Sequence, residues 1–343
     1  MTSVDLLIIM AHPDDAESLS LLSKVFLLDN QVSESERTLL AAAAINPELP
    51  SVFVNQARLL LKQAKPAEAL AKAQSGYEQL SEDPESCLVL AACLSANQRD
   101  HEALPFIEKV LQVKPKHAEA FSFRALIRLR GKDIPGAIKD AELAVSLKPH
   151  LARTWALLAA LNYQSNNLPG AIGAQRSAHE NEPTNVSYMV SLGEFLRQDK
   201  KLEDAISILS KAAQLNPQNA DVHNNLGVCL KGLSKLEEAE SSFKKATICK
   251  PEDAQFHFNF GKILQELGKL EEAELSLRRA IELKPVFAEA LSGLGRVYYS
   301  KGDVDSALTN FKAAYDINPS IRANELWLEI IKARKLRAEN KEE

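Results

Sequence analysis

Cysteine is scarce in this 343-residue chain: Cys87, Cys93, Cys229 and Cys249 show no CxxC spacing, which excludes the usual zinc frameworks and a disulfide-stapled domain. They read as buried reduced thiols, and a reducing, cytoplasmic compartment is the expectation. No apolar run approaches the roughly 18 residues that a membrane span needs, so membrane insertion is not expected. Charge of one sign is not in excess. The 41 basic and 46 acidic side chains give −5, without the basic stripe of a nucleic-acid binder. Aromatics are only 6% of the residues, and Ala and Leu carry much of the apolar content, which favours helix over strand. The opening MTSVDLLIIMAHPDD has an apolar stretch but no basic n-region and no small-x-small cleavage site, so it does not read as a signal peptide. Nucleotide and catalytic signatures are missing too: there is no GxGxxG, P-loop, GxSxG or HExxH, so no enzyme activity, cofactor or metal is expected.

What the chain does have is a period. Pro115, Pro149, Pro183, Pro217, Pro251, Pro285 and Pro319 are each 34 residues apart. Stepping back by 34 gives Ser81, Pro47 and Pro13, so one frame runs from residue 13 to residue 319 without insertion or deletion. With this proline at position 32, repeats begin at Ala16, Pro50, Pro84, Ala118, Ala152, Val186, Ala220, Ala254 and Ala288. Position 8 is then always small: Ser23, Ala57, Ala91, Ala125, Ala159, Gly193, Gly227, Gly261 and Gly295. Position 20 holds Ser35 and then eight alanines from Ala69 to Ala307. Position 27 runs Ala42, Gly76, Val110, Ala144, Ala178, Ala212, Ala246, Ala280 and Ala314. Small side chains let two helix axes approach closely. Positions 8 and 20 are therefore expected at the crossing within a helix pair, and position 27 against the next pair. The proline ends each second helix, because it cannot continue one and restricts the residue before it.

These columns, with bulky residues at positions 4, 7 and 24, resemble the tetratricopeptide repeat family, and the repeat AEALSGLGRVYYSKGDVDSALTNFKAAYDINP (288–319) matches its pattern nearly throughout. The resemblance covers about residues 16–321 and implies an all-α fold, a right-handed α-solenoid or superhelix of helix-turn-helix units. Its style is that of long superhelices such as the O-GlcNAc transferase repeat arm. Repeat four departs from the pattern. Arg124 and Arg128 stand at apolar positions, and GKDIPGA places its glycine one residue early, so a distorted or loosely packed pair is expected there.

The ends read differently. Residues 1–15 occupy the frame of a second helix from a preceding repeat, as either a trimmed parent sequence or an N-terminal packing helix would. Residues 322–343 are helical in pattern, apolar early and basic later, and read as a capping helix with a short tail. AHPDDAE (11–17) resembles the metal-binding motif of PIG-L-type deacetylases, but Pro13 is in phase with the later anchors and no α/β sequence follows. His223 and His257, 34 apart at position 4, read as packing histidines, since other repeats carry Trp155 or Phe121 there.

The resemblance implies that the first helices line a concave groove, with positions 2, 5, 6, 9, 12 and 13 facing it. Repeats three to five then offer Leu88, Val89, Ala92, Phe123, Leu126, Ala156, Leu157, Ala160 and Tyr163. These either hold hydrophobic anchors of a partner or pack internally where the superhelix closes. Repeats six to nine are polar: Arg197, Asn224, Asn225, Lys231, Asn259, Lys262, Arg296 and Tyr299. An asparagine amide both donates and accepts, so Asn225 and Asn259 at position 6 suit a peptide backbone. Glu194, Asp221, Glu266 and Glu289 lie in neighbouring columns, so the field there is expected to be near zero. The resulting expectation is a scaffold that binds an extended or helical protein segment. The alternatives are the substrate-recognition arm of a larger glycosyltransferase- or sulfotransferase-type enzyme and a self-assembling structural repeat that forms homo-oligomers.

Overall fold

A computed structural model describes residues 15–320 together with Trp327 and Glu329. The expected helix over 1–15, most of the HPDD segment and the 322–343 cap, Trp327 and Glu329 apart, lie outside the described residues. The described chain is all-α, with no strand. Its helices alternate without exception between the first and second member of a pair: α1 Ala16–Leu28, α2 Val32–Ile45, α3 Pro50–Lys62, α4 Pro66–Gln79, α5 Pro84–Ala96, α6 Asp100–Val113, α7 Ala118–Arg130, α8 Ile134–Leu147, α9 Ala152–Gln164, α10 Leu168–Asn181, α11 Val186–Gln198, α12 Leu202–Leu215, α13 Ala220–Gly232, α14 Leu236–Cys249, α15 Ala254–Glu266, α16 Leu270–Leu283, α17 Ala288–Lys301 and α18 Val304–Ile317. Two compact units divide the chain, Met1–Ala174 and Gln175–Glu343. Within each unit, helices stack on their chain neighbours, as in a helical solenoid.

The turn inside each pair has one geometry. Position 15 is left-handed in all nine described repeats, from Asn30 (φ 63°) through Lys132 (φ 64°) to Gly302 (φ 85°). In repeat four, the amide of Lys132 donates to the Leu129 carbonyl at 3.0 Å, and that of Asp133 to the Arg128 carbonyl at 2.9 Å. This is a Schellman closure, which satisfies carbonyls that the helix end leaves orphaned. Only Gly268 and Gly302 are glycines at this position, so the other repeats hold an L-residue where glycine would be unstrained. The turn between pairs is set by the anchor proline. The residue before it is extended, as at Lys250 (φ −141°, ψ 81°). Ser81 lacks the ring, and its carbonyl accepts a hydrogen bond from Lys109 Nζ at 2.8 Å.

The small columns match large partners. A Cβ on Gly193, Gly227 or Gly261 would stand 2.7–2.8 Å from the side chain of Leu209, Phe243 or Leu277 respectively. Those partners are all at position 24, so position 8 packs chiefly against position 24. Among the contacts of these glycines, position 20 enters only through the Ala273 carbonyl beside Gly261. Where position 8 is alanine, position 24 is Ala73, Ile107, Ala141 or Gln175. The two columns mostly trade volume, as close packing requires. Position 27 sits at a junction: Ala42, Ala246 and Ala280 cluster with Val52, Phe256 and Ala290 of the following pair. Gly76, however, lies tight against Phe53 and Val54 of its own pair.

Repeat four is not distorted, contrary to expectation. α7 and α8 have the lengths of their neighbours, 13 and 14 residues. Asp140, 1% exposed, supplies the missing counter-charge. Arg124 donates to both of its carboxylate oxygens, at 2.8 and 2.7 Å, and Arg128 Nη1 lies 2.8 Å from one of them. The early glycine is accommodated because Lys132, not Gly131, takes the left-handed conformation.

Candidate functional site

Position 4 is structural. The ring nitrogens of Trp155, His223 and His257 donate to the carbonyls of Pro149, Pro217 and Pro251, at 2.8, 2.8 and 2.9 Å. Each ring ties its own helix to the anchor that precedes it. No helix among the described residues is long and apolar enough to cross a membrane.

In the first unit, Leu88 on α5 and Phe123 on α7 are half-buried and pack against the core cluster that Leu90, Ile107 and Ile127 share. Val89 is buried, whereas Tyr163 on α9 is 43% exposed. Asn55, at position 6, is buried and donates to the carbonyl and the hydroxyl of Ser20, both at 2.9 Å. It works as a packing residue of the α1–α3 contact.

In the second unit the polar residues fall on consecutive first helices, α11, α13, α15 and α17. Arg197 folds back on Glu194 of the same helix, with Nε 3.1 Å from a carboxylate oxygen. Burial pushes the Glu194 carboxyl up, but its bonds to Arg197 and Gln198 outweigh that and hold it below its ordinary value. Asn259 on α15 donates to Asn224 Oδ1 on α13 at 2.8 Å and accepts from Gln255 at 3.1 Å. Lys231 on α13 is ion-paired with Glu266 on α15. Asn225 is half-buried and makes no side-chain hydrogen bond among the described residues.

These contacts reveal an arrangement that columns in strict 34-residue register do not show. Four of the side-chain bonds between neighbouring first helices join residues 35 apart, Ser20 with Asn55, Ser95 with Arg130, Asn224 with Asn259 and Lys231 with Glu266, beside others of different spacing such as Ser51 with Glu17 and Ser122 with Thr154. Each of these four runs from position 5 to position 6 of the next repeat, or from position 12 to position 13. The two rungs are two helical turns apart, on one face. Position 9 lies between them.

Position 9 holds Lys262 on α15 and Arg296 on α17, helices in direct contact. Neither makes an ion pair among the described residues, and Arg296 Nε is buried without a hydrogen-bond partner. Burial, then repulsion by Lys231 and Arg296, lowers the Lys262 ammonium, with Glu266 opposing. Burial also lowers the Arg296 guanidinium, again against Glu266. Glu194 and Glu266 have partners of their own, and Asp221 and Glu289 are exposed.

Trp327 is the contact that sequence reasoning missed most completely. It stacks on Phe311 at 5.4 Å with an interplanar angle of 4°, and meets Tyr299 edge-on at 5.0 Å. An aromatic beyond the last anchor proline was the available signal.

Comparison with known proteins places these helix pairs. Two family models described as tetratricopeptide repeat match residues 196–258 and 258–320. Among solved structures, the chain is similar to one in the APC/C hetero-tetramer Cut9–Hcn1 (TM-score 0.54, 18% identity, 87% of this chain and 59% of that one). It is also similar to Pseudomonas aeruginosa PilF (TM-score 0.54, 20% identity, 63% of this chain and 97% of that one). At these identities the likeness is one of fold. No curated protein sequence matches the chain.

Proposed function

We propose that this chain, a tetratricopeptide repeat protein, is a protein-interaction scaffold, and that its second unit holds an extended segment of a partner along α11, α13, α15 and α17. One observation carries this reading. Asn225 presents an unsatisfied amide beside the Asn224–Asn259 bridge, so a row of side-chain amides crosses adjacent helices. An amide of this kind can donate to a peptide carbonyl and accept from a peptide N–H without reading the side chains between. The surface is formed before any partner arrives, which limits the ordering cost of binding. A second surface is supported in the first unit, where half-buried Leu88 and Phe123 and exposed Tyr163 suit an apolar anchor.

Site-specific photocrosslinking tests the reading. A photoreactive residue at Asn225 is expected to trap a partner that one at exposed Lys245 on α14 does not. Equal trapping from both positions, or trapping from Lys245 alone, refutes it. An Asn225→Ala/Asn259→Ala variant is expected to lose the trapped species, read from a crosslinker at Gln255.

A further inference from the structure

Each second helix ends where the next first helix begins, so the turns between pairs fall on one edge of the stack. In the first unit the charges on that edge are sorted by sign. The turns after α2 and α4, NPEL (46–49) and LSED (80–83), hold Glu48, Glu82 and Asp83 and no base. Those after α6 and α8, KPKH (114–117) and KPHL (148–151), hold Lys114, Lys116 and Lys148, with His117 and His150, and no acid. Glu78, exposed in the last turn of α4, adds to the acidic end. The two basic turns act at one place. Burial lowers the His117 imidazole, Glu119 opposes, and Lys114 and Lys148 both lower it further. Part of this charge is met within the unit: Lys109 pairs with Glu82, Glu119 with Lys148, and Asp83 caps α5. Glu48, Glu78, Lys114 and Lys116 are exposed and make no ion pair among the described residues. The same edge carries an exposed apolar side chain at three successive turns, Ile45 (56%), Leu80 (40%) and Val113 (55%). The second unit is not sorted in this way. Its turns read EPTN, NPQN, KPED and KPVF, and Lys250 pairs with Asp253 of its own turn at 2.9 Å.

We infer that this edge of the first unit is a self-association face, on which two copies of the chain pair antiparallel about a twofold axis. An edge that is acidic at one end and basic at the other complements a copy of itself turned end for end. With the axis at the middle of the edge, the 46–49 turn of one copy faces the 148–151 turn of the other, and 80–83 faces 114–117. Glu48 then meets Lys148, while Glu78 and Glu82 meet Lys114 and Lys116. Each contact occurs twice, as an isologous interface requires. Leu80 and Val113 come to the centre, which gives an apolar middle with a charged rim. Parallel pairing sets like charges against each other and is disfavoured. A second copy supplies both complements in the right order, so no other partner is needed. Contacts between exposed charges are individually weak and screened by salt. The association is therefore reversible and salt-dependent. It involves the first unit and does not depend on the peptide surface proposed for the second.

Sedimentation velocity of the full chain, from about 1 to about 300 μM, tests the inference. At about 50 mM salt a single monomer–dimer equilibrium is expected, and at about 500 mM salt the dissociation constant should rise about tenfold or more. Two charge reversals locate the face. Lys114→Glu/Lys116→Glu sets acid against acid across the axis, and Glu78→Lys/Glu82→Lys sets base against base. Each alone should weaken self-association about tenfold or more, with helicity unchanged by circular dichroism. An equimolar mixture of the two should restore the dimer, because the new lysines of one variant face the new glutamates of the other. Lys211→Glu/Lys245→Glu on α12 and α14, the same change of net charge at exposed sites of the second unit, should leave association intact. A chain that stays monomeric over the whole range overturns the inference. So does association indifferent to salt or to either reversal, or weakened equally by the control variant. A mixture no better than its parts refutes the antiparallel pairing, and assemblies that grow beyond a dimer refute the twofold axis.

Discussion

Removing the carboxylate of Asp140 should open the α7–α8 pair. Asp140 is 1% exposed and accepts from two guanidinium groups, whose side chains are 18% and 30% exposed. Asp140→Ala leaves both arginines facing each other in a half-buried site. Breaking a buried ion pair on one side costs about 3–5 kcal/mol. Both arginines keep some access to water, so about 3 kcal/mol is the expected loss. In a stack of repeats each pair contacts only its neighbours, so the loss is felt locally. A loss of that size is about a hundredfold in the opening equilibrium. Hydrogen exchange followed by mass spectrometry should therefore show protection falling by that factor over residues 118–147, with residues 220–249 as the internal control. The companion variant Arg124→Leu/Arg128→Tyr/Asp140→Ala restores apolar side chains to the two arginine positions. It should recover most or all of the protection, since a buried ion pair is often no more stable than an apolar replacement. A change of less than about threefold in the single variant, or a triple variant as weak as the single, would show that the triad does not hold the pair together.

Moving the glycine of repeat four into register, Gly131→Lys/Lys132→Gly, should raise stability by about 1 kcal/mol, seen as a higher melting temperature by circular dichroism, because position 15 is left-handed there. Gly227→Ala should cost about 1–3 kcal/mol by overpacking, since its Cβ would lie 2.8 Å from Phe243. A smaller residue in Phe243→Leu should offset part of that in a double-mutant cycle. Thiol titration near pH 8 should label Cys249 quickly and the other three only on unfolding, because burial raises Cys87 and pushes Cys93 up to about 12 and Cys229 up to about 11. Burial pushes the Glu85 carboxyl up, but Arg58 and Lys24 outweigh it and hold the carboxyl below its ordinary 4.5. The stability it lends is therefore complete above that pH and lost as pH falls through the lowered value. Exchange protection over α1–α5 should fall in that acid window, and Glu85→Gln should abolish the dependence.

The fold was legible because every repeat makes the same contacts, so each column repeats one physical requirement. A proline every 34 residues and a small residue at position 8 need no structure to be read. The trade of volume between positions 8 and 24 was equally visible in Gly227 with Phe243 and Ala57 with Ala73, but only once the two columns are known to touch. The turn at position 15 was obscured because seven of the nine residues there are not glycine. Tertiary packing imposes the left-handed conformation on them against their own preference.

The candidate site was harder to read for a geometric reason. Columns in register place Asn225 beside Asn259, yet α13 and α15 meet one residue out of register here, and Asn259 bonds Asn224. The same offset joins Lys231 to Glu266, which removes the carboxylate that a column count assigns to Lys262. Asn225 stands at position 6, and the position-5 residue 35 before it is Val190, which has no polar side chain to offer, so the amide of Asn225 stays open. A single residue of stagger thus decides which polar side chains are spent on holding the helices together and which remain for a ligand. Asn55 illustrates the first outcome, buried on Ser20, while Asn225 and Lys262 illustrate the second. On the proposed reading, the residues that bind are those a repeating contact fails to use. They are found by pairing positions 5 with 6 and 12 with 13 across successive repeats, and asking which charges are left over.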